Sequence, residues 1–209
     1  MKMIFFDNDG TLVDTESLYF KATRKILLEL GVEMTREWFI EYSLKRNYSS
    51  WSLLEGKGYS HEEISHFRNK RNDYYSELLR DEVQLIPGVL ETLESLKGRA
   101  RMSVVTTSRR MHFEIILKKT GNADYFEFFV VNEDVKNEKP HPEPYLRAIE
   151  ISGCDSDDCI AIEDTERGVV AAKKAGIKCY AIPTALSKSH DFSGADGVLN
   201  SISELSGLI

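Results

Sequence analysis

Five short apolar runs recur along the chain, and nothing else in it narrows the possible folds as far. They are Met3–Phe6, Met102–Val105, Phe128–Val131, Cys159–Ile162 and Cys179–Ile182. Each is too short for an ordinary helix and is apolar without alternation, the pattern of a strand covered on both faces. Helical stretches lie between them, over about Met111–Thr120, Glu143–Ser152 and Arg167–Ala175, with Gly121, Gly153 and Gly176 placed to end them. A weaker strand fits Gly197–Leu199. Strand and helix in alternation predict an α/β fold built on a doubly wound, mostly parallel sheet.

Residues 15–83 break that rhythm, being helical, charged and rich in Tyr. Leu18, Ala22, Ile26 and Leu30 recur near the helical period, with Asp14 or Thr15 able to start the helix and Gly31 to close it. Ser60 can start a second long helix reaching towards Leu79, and Pro87-Gly88 marks the return to the α/β pattern. The expected organisation is a core of residues 1–14 and 84–209 interrupted by a helical insertion, 15–83.

Composition bounds the rest. A chain of 209 residues that is 42% hydrophobic can bury a real core. The opening apolar run is too short for a signal peptide, and no stretch approaches the roughly 20 apolar residues of a membrane span, so a soluble cytoplasmic protein is expected. A net charge of −7 speaks against nucleic acid or an anionic membrane as partner, and a monomer is the default. Cys154, Cys159 and Cys179 fit no zinc spacing and read as small apolar residues in a reducing compartment.

Four segments carry chemistry, and each follows a predicted strand, where open parallel sheets gather their ligands. In Asp7-Asn8-Asp9-Gly10-Thr11-Leu12-Val13-Asp14-Thr15, two carboxylates stand two residues apart just past a strand. One can attack a phosphoryl group and the other can exchange a proton. Thr106-Thr107-Ser108 offers hydroxyls and free N–H groups at a helix start, an anion site. Lys139, followed by Pro140, can neutralise a phosphate and a carboxylate together. Glu163-Asp164 offers hard oxygen ligands suited to Mg2+. Taken singly, each has an ordinary reading: a solvated turn, a helix cap, a loop lysine, or acids at a helix start. Their order and placement together are the specific signal.

With these segments in hand, the chain resembles the haloacid dehalogenase superfamily, in its phosphatase and β-phosphoglucomutase branch. Asp7–Thr15 follows that family's first motif throughout; Thr106, Lys139, and Glu163-Asp164 with Gly168 stand for the other three. The resemblance implies a Rossmann-like core with a helical cap, and an enzyme that hydrolyses a small phosphomonoester such as a sugar phosphate or nucleotide. It implies Asp7 as nucleophile and Asp9 as acid and base, with Thr106, Thr107 and Lys139 on the phosphate. Mg2+ would be held by Asp7, by Asp9 through its backbone carbonyl, and by Asp164, with Glu163 alongside. The cap would select substrate, with Lys45-Arg46 and Arg68-Lys70-Arg71 as basic candidates and Tyr19 and Trp51 as cleft or packing residues. His61, His66, His112, His141 and His190 are given no role. Departures are Thr107, where many relatives carry Asn; Glu138, where many carry Gly; and Tyr19, where sugar phosphomutases place His. A phosphomutase shares every core residue and is the alternative reading. A non-catalytic phospho-acceptor, like a response-regulator receiver, is a remoter one that needs no helical insertion.

Overall fold

The computed structural model describes residues 1–208. Six strands form one parallel sheet: β1 (Met3–Phe6), β2 (Arg101–Val105), β3 (Phe129–Val130), β4 (Cys159–Glu163), β5 (Lys178–Ala181) and β6 (Gly197–Val198), in the spatial order β3-β2-β1-β4-β5-β6. Central β1 is buried residue by residue, and its alternation sorts side chains to two faces. Ile4 and Phe6 join one core with Met102, Val104, Ile160 and Ile162; Met3 and Phe5 join the other with Val105, Ala161 and Cys179. Each such side chain contributes roughly 1.5–3 kcal/mol on burial, which is why the sequence shows unbroken apolar runs.

The described residues also form eight helices: α1 (Glu16–Glu29), the single turn α2 (Arg36–Trp38), α3 (His61–Glu82), α4 (Val89–Leu96), α5 (Arg110–Thr120), α6 (Glu143–Ser152), α7 (Glu166–Lys174) and α8 (Leu205–Leu208). On the first face, α4 brings Val89, Leu93 and Leu96, α5 brings Phe113, and α8 brings Leu205. The second face is covered by α6 through Tyr145 and Ala148, and by α7 through Val169, Ala171 and Ala172. No helix among the described residues is long and apolar enough to cross a membrane.

Strands and helices fall close to their expected positions, with β3 shorter than its apolar run, since Phe129 and Val130 are the residues that pair in register with β2. Two elements differ. Helix α4 gave no start signal, since its N-cap is Gly88 in the left-handed region (φ 87°) rather than a side-chain cap. Phe39–Lys45 winds as a π-helix, which no periodicity of 3.6 announces. Helix α3 starts at a full capping box between Ser60 and Glu63, as Ser60 suggested, but runs past Leu79 to Glu82.

Residues 12–14 and 84–86 run side by side. The Ile86 N–H donates to Leu12 O at 2.9 Å, and Val13 bridges Leu85 in antiparallel sense. Between these crossings lies no strand, and α1 packs on α3 through Leu18, Ala22, Tyr75, Leu78 and Leu79. A second cluster, Ile26, Leu27, Met34, Phe39, Trp51 and Leu54, closes the outer end of this helical segment.

Candidate active site

The strand order reverses direction at β1: the chain moves outward from β1 to β3, then returns to place β4 on the other side. A crevice opens at such a reversal, beyond the carboxyl ends of the strands. Asp7 follows β1, Thr106 follows β2, and Asp164 follows β4, so all three point into it.

Lys139 ties the crevice together. Its Nζ donates to Asp7 Oδ1 at 2.7 Å, to Glu163 Oε1 at 2.6 Å and to Val105 O at 2.7 Å. All three donors of the ammonium are therefore used in a buried site, which satisfies it. Burial alone would lower the Lys139 pKa, but the two carboxylates outweigh that and raise it, so the amine stays charged. Glu163 Oε1 also accepts the Tyr145 hydroxyl at 2.6 Å, which fixes Glu163 from α6. Burial pushes the Tyr145 hydroxyl pKa up, reinforced by Glu163, so it remains a donor.

Asp7, Glu163 and Asp164 can each offer an oxygen within 4.8 Å of the others. Burial raises the Asp7 pKa, opposed by Lys139 and reinforced by Glu163 and Asp9. It raises that of Asp164 too, with repulsion from Glu16, Asp7 and Glu163 adding to it. Asp164 Oδ2 is buried with no hydrogen-bond partner. Three buried carboxylates with one lysine leave negative charge unbalanced, and the donors are hard oxygens; this set fits a divalent cation such as Mg2+. Because Lys139 and Tyr145 already occupy Glu163 Oε1, Asp7 and Asp164 are the freer ligands.

Two glycines make room. A Cβ on Gly10, itself at φ 89°, would lie 2.1 Å from Asp164 Oδ2. On Gly168, a Cβ would lie 1.9 Å from the Glu163 carboxyl carbon. Both acids thus rest against bare backbone, a requirement the sequence expresses only as Gly.

Asp9 is held differently, by hydroxyls. Thr106 Oγ1 donates to Asp9 Oδ2 at 3.0 Å, Ser108 Oγ donates to the same oxygen at 2.7 Å, and Thr15 Oγ1 donates to Oδ1. The sequence points to Thr15 as a helix start and to Ser108 as one hydroxyl of an anion site, not to either as a partner of Asp9, and it gives Tyr145 no part. Ser108 carried a signal, being in the hydroxyl run after β2; Tyr145 carried none, since it reads as a core residue of α6. Thr107 makes no side-chain hydrogen bond among the described residues and lines the cleft.

A cavity of about 600 Å³ opens above Asp9 towards the helical segment. Tyr19, Trp51, Arg68, Arg71 and His112 all line it. Tyr19 and Trp51 serve both readings, since each also packs against the core of that segment. Lys45, Arg46 and Lys70 are engaged elsewhere, with Ser189 O at 3.2 Å, Glu41 at 2.6 Å and Glu29 at 2.6 Å respectively. His61 and His66 lie on α3, and His141 and His190 accept backbone N–H bonds through Nδ1. His112 is the histidine that reaches the cleft, a position the sequence did not reveal.

A family model described as haloacid dehalogenase-like hydrolase matches residues 4–182. Among curated proteins, the chain is 28% identical over 207 residues to the protein CbbY of Rhodobacter capsulatus, covering 94% of this chain and 91% of that one. It is 30% identical to a phosphorylated carbohydrates phosphatase of Thermotoga maritima, covering 85% and 83%, and 30% identical to the pyrophosphatase PpaX of Bacillus velezensis, covering 97% and 93%. Among solved structures, CbbY from Rhodobacter sphaeroides in complex with phosphate superposes with a TM-score of 0.85 at 27% identity, covering 98% of this chain and 96% of that one.

Proposed function

The chain belongs to the haloacid dehalogenase-like hydrolases, as a phosphoric monoester hydrolase, and from that premise we propose that it dephosphorylates a small phosphorylated metabolite through a phosphate carried on Asp7, with Mg2+ as cofactor. The substrate class is a sugar phosphate or a nucleotide-like ester. The observation that carries this reading is the buried cluster of Asp7, Lys139, Glu163 and Asp164 at the strand reversal, with Asp9 poised beside it.

Asp7 attacks phosphorus, and the P–O bond to the leaving alcohol breaks. Asp9 gives that alcohol its proton, then takes one from the water that cleaves the acyl phosphate. Its three hydroxyl donors hold it in reach, and Thr106 and Ser108 can turn from it towards phosphoryl oxygens. A carboxylate approaching a phosphate dianion meets like-charge repulsion, strong where water is excluded. Lys139 opposes that repulsion and orients Asp7, while Glu163 and Tyr145 position Lys139. Mg2+, held by Asp7 and Asp164 with the Asp9 carbonyl, would supply the remaining positive charge. Residues 15–83 act as the cap that covers the cleft and excludes water, hinged where 12–14 and 84–86 run together.

The mutase reading is not favoured: Tyr19, which stands where sugar phosphomutases place His, lines the cleft. The test is phosphate release from p-nitrophenyl phosphate with Mg2+. Wild type turns over and Asp7→Asn falls by at least ~10³-fold; equal rates would end the proposal.

A further inference from the structure

Arg71 is 7% exposed, yet no carboxylate pairs with it among the described residues. Its Nε donates to Asn72 Oδ1 at 2.9 Å and its Nη1 to Thr23 Oγ1 at 3.1 Å, both neutral acceptors. The guanidinium carbon sits 4.2 Å from the Tyr19 ring centroid and 6.0 Å from that of Trp51. Burying an unpaired cation is costly, and two aromatic faces offset that only in part. The side chain nonetheless lines the cleft that ends at Asp9, together with Arg68, Arg109 and Arg167, none of them in an ion pair among the described residues. Against them the cavity sets Asp9, Glu16 and Glu138, with burial pushing the Glu16 carboxyl up to about 8, so the lining keeps a positive excess in a chain of net charge −7.

We propose that Arg71 seats a second anionic group of the substrate, so that the cleft selects small molecules bearing a phosphate or carboxylate in addition to the phosphoryl group that is removed. This rests on the phosphatase reading of the same cleft and deepens it. The planar fork can take either anion in paired hydrogen bonds, its position fixed beforehand by Thr23 and Asn72 and by the stack on Tyr19. A purely structural Arg71, knitting α3 to α1 through Thr23, would bear on all ligands alike.

The experiment measures equilibrium binding by calorimetry to the Asp7→Asn protein, which requires no turnover. Unbranched alkanediol bisphosphates are compared with alkyl monophosphates of equal length, and ω-phosphooxy carboxylates form a second arm that separates a phosphate from a carboxylate as the second anion. Charge-assisted hydrogen bonds of this kind predict about 10- to 100-fold tighter binding for one or both doubly charged series. Adding Arg71→Met collapses that preference, and Arg71→Lys keeps part of it. Equal binding of singly and doubly charged ligands overturns the proposal, as does a preference that survives Arg71→Met. Should Arg71→Met fail to fold, the comparison in Asp7→Asn decides alone. Inactivity of the wild type on p-nitrophenyl phosphate would count against the phosphatase reading and leave this binding comparison standing.

Discussion

Gly168 and Lys139 carry more of the site than their appearance in the sequence suggests. A methyl group at position 168 meets the Glu163 carboxyl at 1.9 Å, and nothing there can yield except Glu163 itself. Gly168→Ala should cost about 1–3 kcal/mol and should lower kcat by displacing Glu163 from Lys139. Circular dichroism with steady-state kinetics checks it; full activity would mean Glu163 does not position the lysine. Lys139→Met leaves Asp7 and Glu163 facing each other without a cation, at a cost of about 3–5 kcal/mol, readable in urea unfolding. At this scale the sequence exposes what is contiguous. Asp7 and Asp9 are legible because one short turn holds both. Tyr145 is not, because its partner Glu163 lies on another element and only folding brings it near; Ser108 shows as one hydroxyl of a run, but its bond to Asp9 does not.

Elements were read where their physics is local. The continuous apolar run of β1 and the capping box of α3 are sequence-encoded. Helix α4 was not, since its start is a left-handed glycine and its stability comes from packing on the sheet. One contact between elements has a pH signature. His112 of α5 is buried against Tyr75 of α3, ring centroids 4.9 Å apart. Burial holds its imidazole below the ordinary range, and Arg71 and Arg109 add to this, while a backbone bond to Asn72 and the charge of Asp9 oppose it. The unfolded chain therefore binds the proton more readily. The stabilising contribution is complete above about pH 6.5 and is lost as pH falls through the lowered folded value. Replacing His112 with Gln should flatten, though not abolish, the acid-side fall in Tm, because His190 is depressed by burial in the same way. An unchanged pH profile would show that His112 takes no part.

The molecule as a whole sets a parallel sheet beneath a helical segment joined to it by two adjacent crossings. The parallel sheet was foreseeable from the rhythm of apolar runs; the lining of the cleft was not, because it depends on how α1, α3 and the π-helix lie over the strand ends. Excess negative charge at the strand ends should make the fold responsive to a divalent cation. At Mg2+ a hundredfold above its Kd, stability should rise by about 2.7 kcal/mol, seen as a Tm increase of roughly 5–10 °C, and Asp164→Asn should erase it. An equal increase in that variant would place the ion elsewhere. The claim beneath all of this is covalent: phosphorus passes through Asp7. Protein caught during turnover, reduced with borohydride and mapped by mass spectrometry should carry homoserine at position 7, the product of a reduced acyl phosphate. Phosphate release with position 7 unaltered, in a protein that turns over as fast with Asp7→Asn, would contradict it.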